Sequence, residues 1–531
     1  MSTLTGTFSL VRLALRLDRV RLPIWVLVTV VTALSTASAF KQLYPDEASR
    51  QRVAASIGSN PALLAIYGPI YDTSLGAVTM WRLGIIGALL AGLMSMLTIN
   101  RHTRQDEEAG RLELIGATVV GRHAPMAAAL VVTIGANIVL ALLTGLGLAG
   151  QGLPVGSSLA AGFAFAGLGV VLAAVTAVAA QLSENARTVN AIAGTVFGVA
   201  FVLRLVGDAS GADGPGWLTW LSPVGWIEKT RAYAGDRWWV IGMMAVTAIV
   251  LFVVAYALVG RRDLGAGLVP PRPGPADAGA SLNGVFGLAW RLQRWSLAGW
   301  AFGFAVMGYA MGSVASGVLD LFKDDPQMTK MMQQLGGVST LIDAFMSAIM
   351  GIVALVVSVY AVQATLRMRA EETNFRAEPL LATNTGRIRW AASHLVYPLV
   401  GSAVMLTLAG LGAGIAYGIE IDDVGGQVGS VLGNALVQLP ATLVVAAIAL
   451  ALFGLAPRFV ILSWAALTVF VLLGQLGPIL QAPQWLMDVS PFTHVPKLTQ
   501  QVSAGPLIWL SVVAVVLGVV GLVGLRRRDI G

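Results

Sequence analysis

The residues whose types and spacing could do chemistry are few, and no catalytic set emerges from them. The chain has no cysteine, which removes disulfides, thiolate metal sites and thiol nucleophiles. His102, His123, His394 and His494 are the only histidines and stand far apart, so no metal centre is expected. There is no Gly-x4-Gly-Lys-Ser/Thr and no Gly-Lys pair, so the chain has no P-loop with which to bind ATP. What remains is charge in a pattern that occurs twice. Arg104-x-Asp106-Glu107-x3-Arg111-x-Glu113 is matched by Arg369-x-Glu371-Glu372-x3-Arg376-x-Glu378. Both copies continue to Ala-Thr and Gly-Arg: Ala117, Thr118, Gly121 and Arg122, then Ala382, Thr383, Gly386 and Arg387. Glu107 precedes Arg111 by four residues, as Glu372 precedes Arg376, a spacing that supports a helix. Leu112, Ile115 and Val119 would form its apolar face. The acids and bases recur although their neighbours differ, which points to a docking surface for a soluble protein rather than a merely solvated loop.

The elements that carry these charges are membrane helices. The 531 residues are 56% hydrophobic and 11% charged, with mean hydropathy +0.77. A soluble domain carries about a quarter charged residues. The apolar residues fall into twelve candidate spans. Six lie near residues 23–40, 83–99, 124–148, 159–182, 189–203 and 240–259. Six more lie near 297–319, 344–366, 391–418, 428–455, 459–480 and 507–525. No cleavable signal peptide is read at the N-terminus. The +7 net charge could suggest nucleic acid, but arginines concentrated on one side explain it through membrane topology. That side holds both termini and is assigned to the cytoplasm, in the cell membrane.

The spans fall into two halves with matched landmarks. Leu13-Ala-Leu-Arg16-Leu17-Asp18-Arg19 precedes the first span as Leu288-Ala-Trp-Arg291-Leu292-Gln293-Arg294 precedes the seventh. Ser222-Pro223 with Lys229 is matched by Ser490-Pro491 with Lys497. Arg262-Asp263-Leu264-Gly265 is matched by Arg528-Asp529-Ile530-Gly531. Six spans per half give a parallel repeat about an axis along the membrane normal. The expected architecture is therefore all-α and polytopic, with twelve transmembrane helices in two fused six-helix domains, 1–265 and 284–531. A Pro- and Gly-rich cytoplasmic linker, 266–283, joins them.

Other features are weaker. Leu10–Val20 and Leu288–Leu297 read as amphipathic elbow helices on the membrane surface. The outer segments 207–239 and 481–506 carry Trp217, Trp220, Trp226, Trp238, Trp239 and Trp485, an interfacial belt. An outer gate there would use Ser222, Pro223, Trp226, Lys229, Ser490 and Pro491, with Glu228, Lys229 and Arg231 as a polar cap. The apolar span cores lack Asp and Glu, which argues against ion-coupled transport. Asn137, Asn190, Asn434, Gln438 and Gln475 are polar groups within spans, and Gly308-x3-Gly312 fits close helix packing.

These motifs resemble those of the ABC-2 type permeases, in particular the actinobacterial polyketide-antibiotic (tetronasin-like) exporters and mycobacterial multidrug efflux permeases. The most specific stretches are Thr103 to Leu114 with Gly121-Arg122, and Leu221 to Trp226 continuing to Arg231–Trp238. The resemblance covers the whole chain. It implies a type V ABC exporter-like fold and two copies of a separately encoded ABC ATPase subunit. This chain would bind no cofactor, because ATP and Mg would reside on the partner. The resemblance also implies that Arg104–Ala117 is a coupling helix, with Asp106, Glu107, Arg111 and Glu113 facing the ATPase. Its second copy is Arg369–Ala382, with Glu371, Glu372, Arg376 and Glu378. Pro379 replaces Leu114 and Thr373 replaces Glu108 in that copy. A substrate cavity between the second and fifth spans of each half would use Met94, Met96, Asn190, Phe197 and Phe201 from the first half. Met346, Met350, Trp464, Phe470 and Gln475 would come from the second. The expected function is export of amphipathic drugs or polyketide-like antibiotics. The rival is a twelve-helix, ion-coupled secondary drug transporter.

Overall fold

The computed structural model describes residues 2–58, 64, 67–209, 216–263, 265–270, 274, 276–279, 282–323, 338–476, 483–496 and 504–529. Side chains at 56–57, 209, 314–323, 338–345 and 475–476 also lie outside the description. Every regular element among the described residues is helical. Two compact units divide the chain, Met1–Pro273 and Gly274–Gly531.

The first unit begins with α1 (Thr7–Leu17) and α2 (Arg21–Leu43). The longer helices α3 (Leu75–Asn100), α4 (Ala124–Gly150), α5 (Val155–Leu182), α6 (Ala186–Ala209) and α7 (Trp238–Val259) follow. Helix α5 lies at the centre, with Ala160, Ala164, Phe165 and Leu168 buried against α3 and α4. Its alanines and glycines let neighbouring backbones approach, as membrane packing requires where water supplies no hydrophobic drive between helices. Gly169 is one such point, because an added Cβ would lie 2.1 Å from Asn137 Oδ1. Asn137 uses that space to donate to Ser95 Oγ at 2.8 Å, linking α4 to α3.

The second unit contains α8 (Val285–Lys323), α9 (Val338–Thr365), α10 (Arg387–Glu420), α11 (Val424–Leu436), α12 (Leu439–Leu455), α13 (Leu462–Leu476) and α14 (Ala504–Arg527). Helices α8 and α10 cross closely at the Gly308-x3-Gly312 motif. A Cβ on Gly308 or Gly312 would sit 2.2 Å from the carbonyl oxygens of Ala409 and Ala413.

Ten helical stretches among the described residues are long and apolar enough to cross a membrane. They match ten of the twelve expected spans. The expected span 297–319 falls on α8, and 459–480 falls on α13 with its end outside the described residues.

Two helix breaks coincide with prolines, although Pro398 lies inside the unbroken α10. The expected span 428–455 is interrupted between α11 and α12, where Pro440 begins α12. Proline has no N–H to donate and its ring collides with the carbonyl four residues earlier, here Leu436. Likewise α1 ends before α2 because Pro23, in the first turn of α2, collides with a helical carbonyl at Arg19. The corresponding residue before the seventh span is Ala298. No break occurs there, and α8 runs unbroken through the expected second elbow.

Candidate functional site

The matched motifs converge at one end of each unit. After α3 the chain makes a π-turn over Arg101–Gln105, then short helices Asp106–Glu108 and Arg111–Gly116. Gly110 separates them in the left-handed region at φ 69°, a conformation glycine adopts without steric cost. The expected continuous helix Arg104–Ala117 is thus two turns, and Glu107 never meets Arg111. Arg111 pairs with Asp106 at 2.9 Å instead. Leu112 is buried while Val119 is exposed, so no single apolar face survives.

Glu107 turns inward. Its carboxylate accepts from Arg104 Nη1 at 2.6 Å, and from Arg262 Nη2 and Nη1 at 2.6 and 3.1 Å. Arg262 lies just beyond the C-terminal end of α7. Arg104, 1% exposed, also donates to the carbonyls of Ala180 and Ala266. Arg262 donates further to Gln181 Oε1 at 2.7 Å. The adjacent Arg122 donates to the Arg262 carbonyl. One staple therefore ties the loop, the end of α5 and the end of α7 together.

The second unit repeats the arrangement at the matched positions. Glu372 accepts from Arg369 at 3.3 Å and from Arg528, at the end of α14, at 2.8 Å. Arg387 donates to the carbonyls of Arg526 and Arg528 at 3.1 and 2.6 Å. Helices Arg367–Thr373 and Ala377–Leu381 flank Phe375, which takes the place of Gly110. Phe375 holds φ 56°, a strained conformation for a bulky side chain, and is 68% exposed.

The two loops differ in their fastening. Glu108 Oε1 accepts from the Ala186 N–H at 2.9 Å and caps the start of α6. Thr373, at the matched position, bonds back to the Arg369 carbonyl at 2.9 Å. The first loop is also tied to the elbow. Asp18, buried after α1, pairs with Arg101 at 2.7 Å and with His102. Burial pushes the Asp18 carboxyl up, but the His102 hydrogen bond and the nearby positive charges outweigh this and hold it below its ordinary value. In the second unit Gln293 meets His394 at 3.3 Å.

The structure therefore corrects the expected outward face. Arg104, Glu107, Glu371 and Glu372 are internal fasteners, with Glu371 buried against Arg367 at 2.7 Å. Asp106 is half-buried, and Arg369 is partly exposed within its ion pair. Arg111, Glu113 and Leu114 form the exposed surface in the first unit. Phe375, Arg376, Glu378 and Pro379 form it in the second.

The opposite end of the first unit holds a charge cluster. Arg204 and Asp208 lie on the last turns of α6, beyond the expected span end at Leu203. Arg204 is buried. It pairs with Asp208 at 2.9 Å and Glu228 at 3.1 Å. Thr219 donates to Asp208 at 2.9 Å. Lys229 pairs with Glu228 at 3.2 Å and donates to the Tyr71 hydroxyl at 2.9 Å. Burial lowers the Lys229 ammonium, but Glu228 and Tyr71 outweigh it and raise it. Burial raises the Tyr71 phenol. Among the other expected gate residues, Ser222 donates to the Ala200 carbonyl at 2.5 Å. Trp226 donates to the Trp220 carbonyl at 2.6 Å. Pro223 is half-buried, while Ser490 and Pro491 are buried.

The expected cavity residues separate into interior and surface. Met94, Met346, Met350 and Phe470 are buried in the cores of their own units, so in this conformation they line no open cavity. Large side chains at helix positions fill interiors as readily as cavities, which is why residue type alone misassigned them. Met96 is half-buried, and Phe197 and Phe201 pack on the first core from its margin. Asn190 accepts from Asn100 at 2.7 Å, and Trp464 is exposed. The Gln475 side chain lies outside the described residues.

Comparison with known proteins follows this geometry. The family model for the multidrug efflux system permease Rv1217c, C-terminal domain, matches residues 8–262 and 282–526. The multidrug efflux system permease protein Rv1217c of Mycobacterium tuberculosis (strain ATCC 25618 / H37Rv) is 45% identical over 531 residues, covering 100% of this chain and 96% of that protein.

Proposed function

Because the chain belongs to the Rv1217c family of multidrug efflux permeases, we propose that it is the membrane subunit of an ATP-driven efflux pump. In this reading twelve spans form two fused six-helix repeats of type V exporter kind in the cytoplasmic membrane, with both termini inside. Two copies of a separate ABC ATPase supply ATP, Mg and hydrolysis. The substrate is an amphipathic drug or polyketide-like antibiotic.

One observation carries the reading. Each unit presents a short exposed charged segment rigidly stapled to the end of its last long helix through an Arg–Glu–Arg set. A push on Arg111, Glu113 and Leu114 is delivered through Glu107 and Arg262 to α7. The second segment delivers it through Glu372 and Arg528 to α14. Buried ion pairs suit this role because they are directional and resist rearrangement. The two exposed faces differ, which favours unequal docking of the two ATPase copies.

The test is affinity purification of the tagged chain from native membranes, with mass spectrometry. Wild type should retain a P-loop ATPase. The double variant Glu113→Arg plus Glu378→Arg should lose it while remaining monodisperse, because neither residue is a fastener. Retention of an ATPase by that variant would refute the assignment of these faces. Absence of any ATPase from wild type would refute the pump.

A further inference from the structure

The far end of the first unit contains a cavity that the coupling reading does not use. Its walls include Tyr67, Ile70, Met80, Trp81 and Ile227, and Glu228 and Arg231 supply its polar edge. The walls are built rather than accidental. Trp81 donates to the Gly68 carbonyl at 2.8 Å, and its ring meets Tyr67 at 4.9 Å. Gly68 itself is left-handed, and a Cβ there would fall 2.4 Å from Glu228 Oε2. The segment bearing Tyr67 and Tyr71 is thereby pressed onto the charge cluster.

Among the described residues of this cluster the charges do not balance: three cations, Arg204, Lys229 and Arg231, stand with two carboxylates, Asp208 and Glu228. Both carboxylates are engaged by Arg204, and Glu228 also by Lys229. The surplus cation is Arg231, whose guanidinium lies over the Tyr71 ring at 4.3 Å. Its Nε is buried and has no hydrogen-bond partner. An unmatched guanidinium N–H beside aromatic and aliphatic walls asks for an anion joined to an apolar body. In the second half Leu472, Leu476 and Pro496 stand at the sequence positions matching Arg204, Asp208 and Glu228.

We propose that this cavity, with about 50 Å³ of open space, seats the anionic head of an amphiphile on Arg231, with only the first part of its apolar chain against Trp81, Met80 and Ile227. The site is independent of the ATPase reading, because binding requires neither ATP nor a partner.

The experiment uses the full chain in nanodiscs of zwitterionic lipid and a diazirine-bearing dodecanoate as photoprobe, with mass-spectrometric mapping of the adduct. Labelling should fall within residues 67–85 and 224–234, and dodecanoate should compete where dodecylamine does not. Arg231→Gln should weaken labelling at least about tenfold, the loss expected for one charge-assisted hydrogen bond. Gly84→Leu is the second variant. A Cβ there meets only Ile227, at 3.8 Å, so the leucine fills the cavity without touching a charge and should also abolish labelling. Competition by phosphatidylglycerol assigns the anion to a lipid headgroup. Competition by dodecanoate alone assigns it to a free acid. Labelling elsewhere, equal competition by dodecylamine, or full labelling of a folded Arg231→Gln chain would overturn the proposal.

Discussion

Replacing Glu107 with glutamine removes one charge and leaves the shape of the staple nearly unchanged. The carboxylate is 6% exposed and stands against Arg104 and Arg262, at 0% and 9%. Losing it strands two guanidiniums away from water, and breaking a buried pair in this way costs about 3 kcal/mol or more. The matched Glu372 is 9% exposed, but its partners Arg369 and Arg528 are 33% and 15% exposed. Solvent screens that set, so Glu372→Gln should cost about 1 kcal/mol. The assay is thermal unfolding of the purified chain in detergent, followed by tryptophan fluorescence. At roughly 2–4 °C per kcal/mol for chains of this class, Glu107→Gln should melt about 6–12 °C lower and Glu372→Gln only a few degrees lower. Adding Arg262→Gln to Glu107→Gln should cost less than the two single changes together. A larger loss for Glu372→Gln, or simple additivity of Glu107 with Arg262, would refute the view that burial makes the first staple the stiffer one.

Three more outcomes follow from single contacts. Phe375→Gly should stabilise the isolated chain by about 1 kcal/mol by relieving a left-handed phenylalanine, yet reduce ATPase capture; an unchanged midpoint in thermal unfolding would show that the backbone carries no strain there. Gly308→Leu should cost about 3 kcal/mol in the same assay, because its side chain would meet the Ala409 backbone, which cannot move aside; wild-type stability would contradict the close α8–α10 crossing. Asp18→Asn should free α1, read as faster trypsin cleavage at Arg12 and Arg16. Because the folded Asp18 value is lowered, its contribution is present above the ordinary carboxylate range and lost as pH falls through the lower folded value, so the difference in thermal midpoint between wild type and variant should shrink only in acid below that range.

Much of this was legible because charge in an apolar chain is scarce. The paired motifs at Arg104–Glu113, Arg369–Glu378, Gly121-Arg122 and Arg262-Asp263 stood out for that reason, and the fold brings each half's copies together. Their pairing was not legible. Arg262 lies 155 residues from Glu107 in sequence, and no local rule links them. The local rule that was applied, Glu107 with Arg111, failed at Gly110, where the chain turns left-handed; the glycine itself was the available signal. The α1–α2 break was likewise readable from Pro23 against Ala298, as was the α11–α12 break from Pro440. The pairing of Arg204 with Asp208 was not legible because an apolar window ends where charges begin, and their burial depends on Glu228, supplied by a later segment. Met94, Met346, Met350 and Phe470, chosen by type as cavity residues, lie in cores for a related reason: methionine and phenylalanine are the same whether they face a core or a lumen, and only packing separates Met94 from Phe197.

The most direct test of the transport account is uptake of a fluorescent amphipathic drug into inside-out membrane vesicles containing this chain and its co-purifying ATPase. The account predicts uptake that requires ATP hydrolysis, persists with a protonophore present, and is lost with Glu113→Arg plus Glu378→Arg. Uptake that needs no ATP and collapses with the protonophore would contradict it and assign the chain to ion-coupled transport.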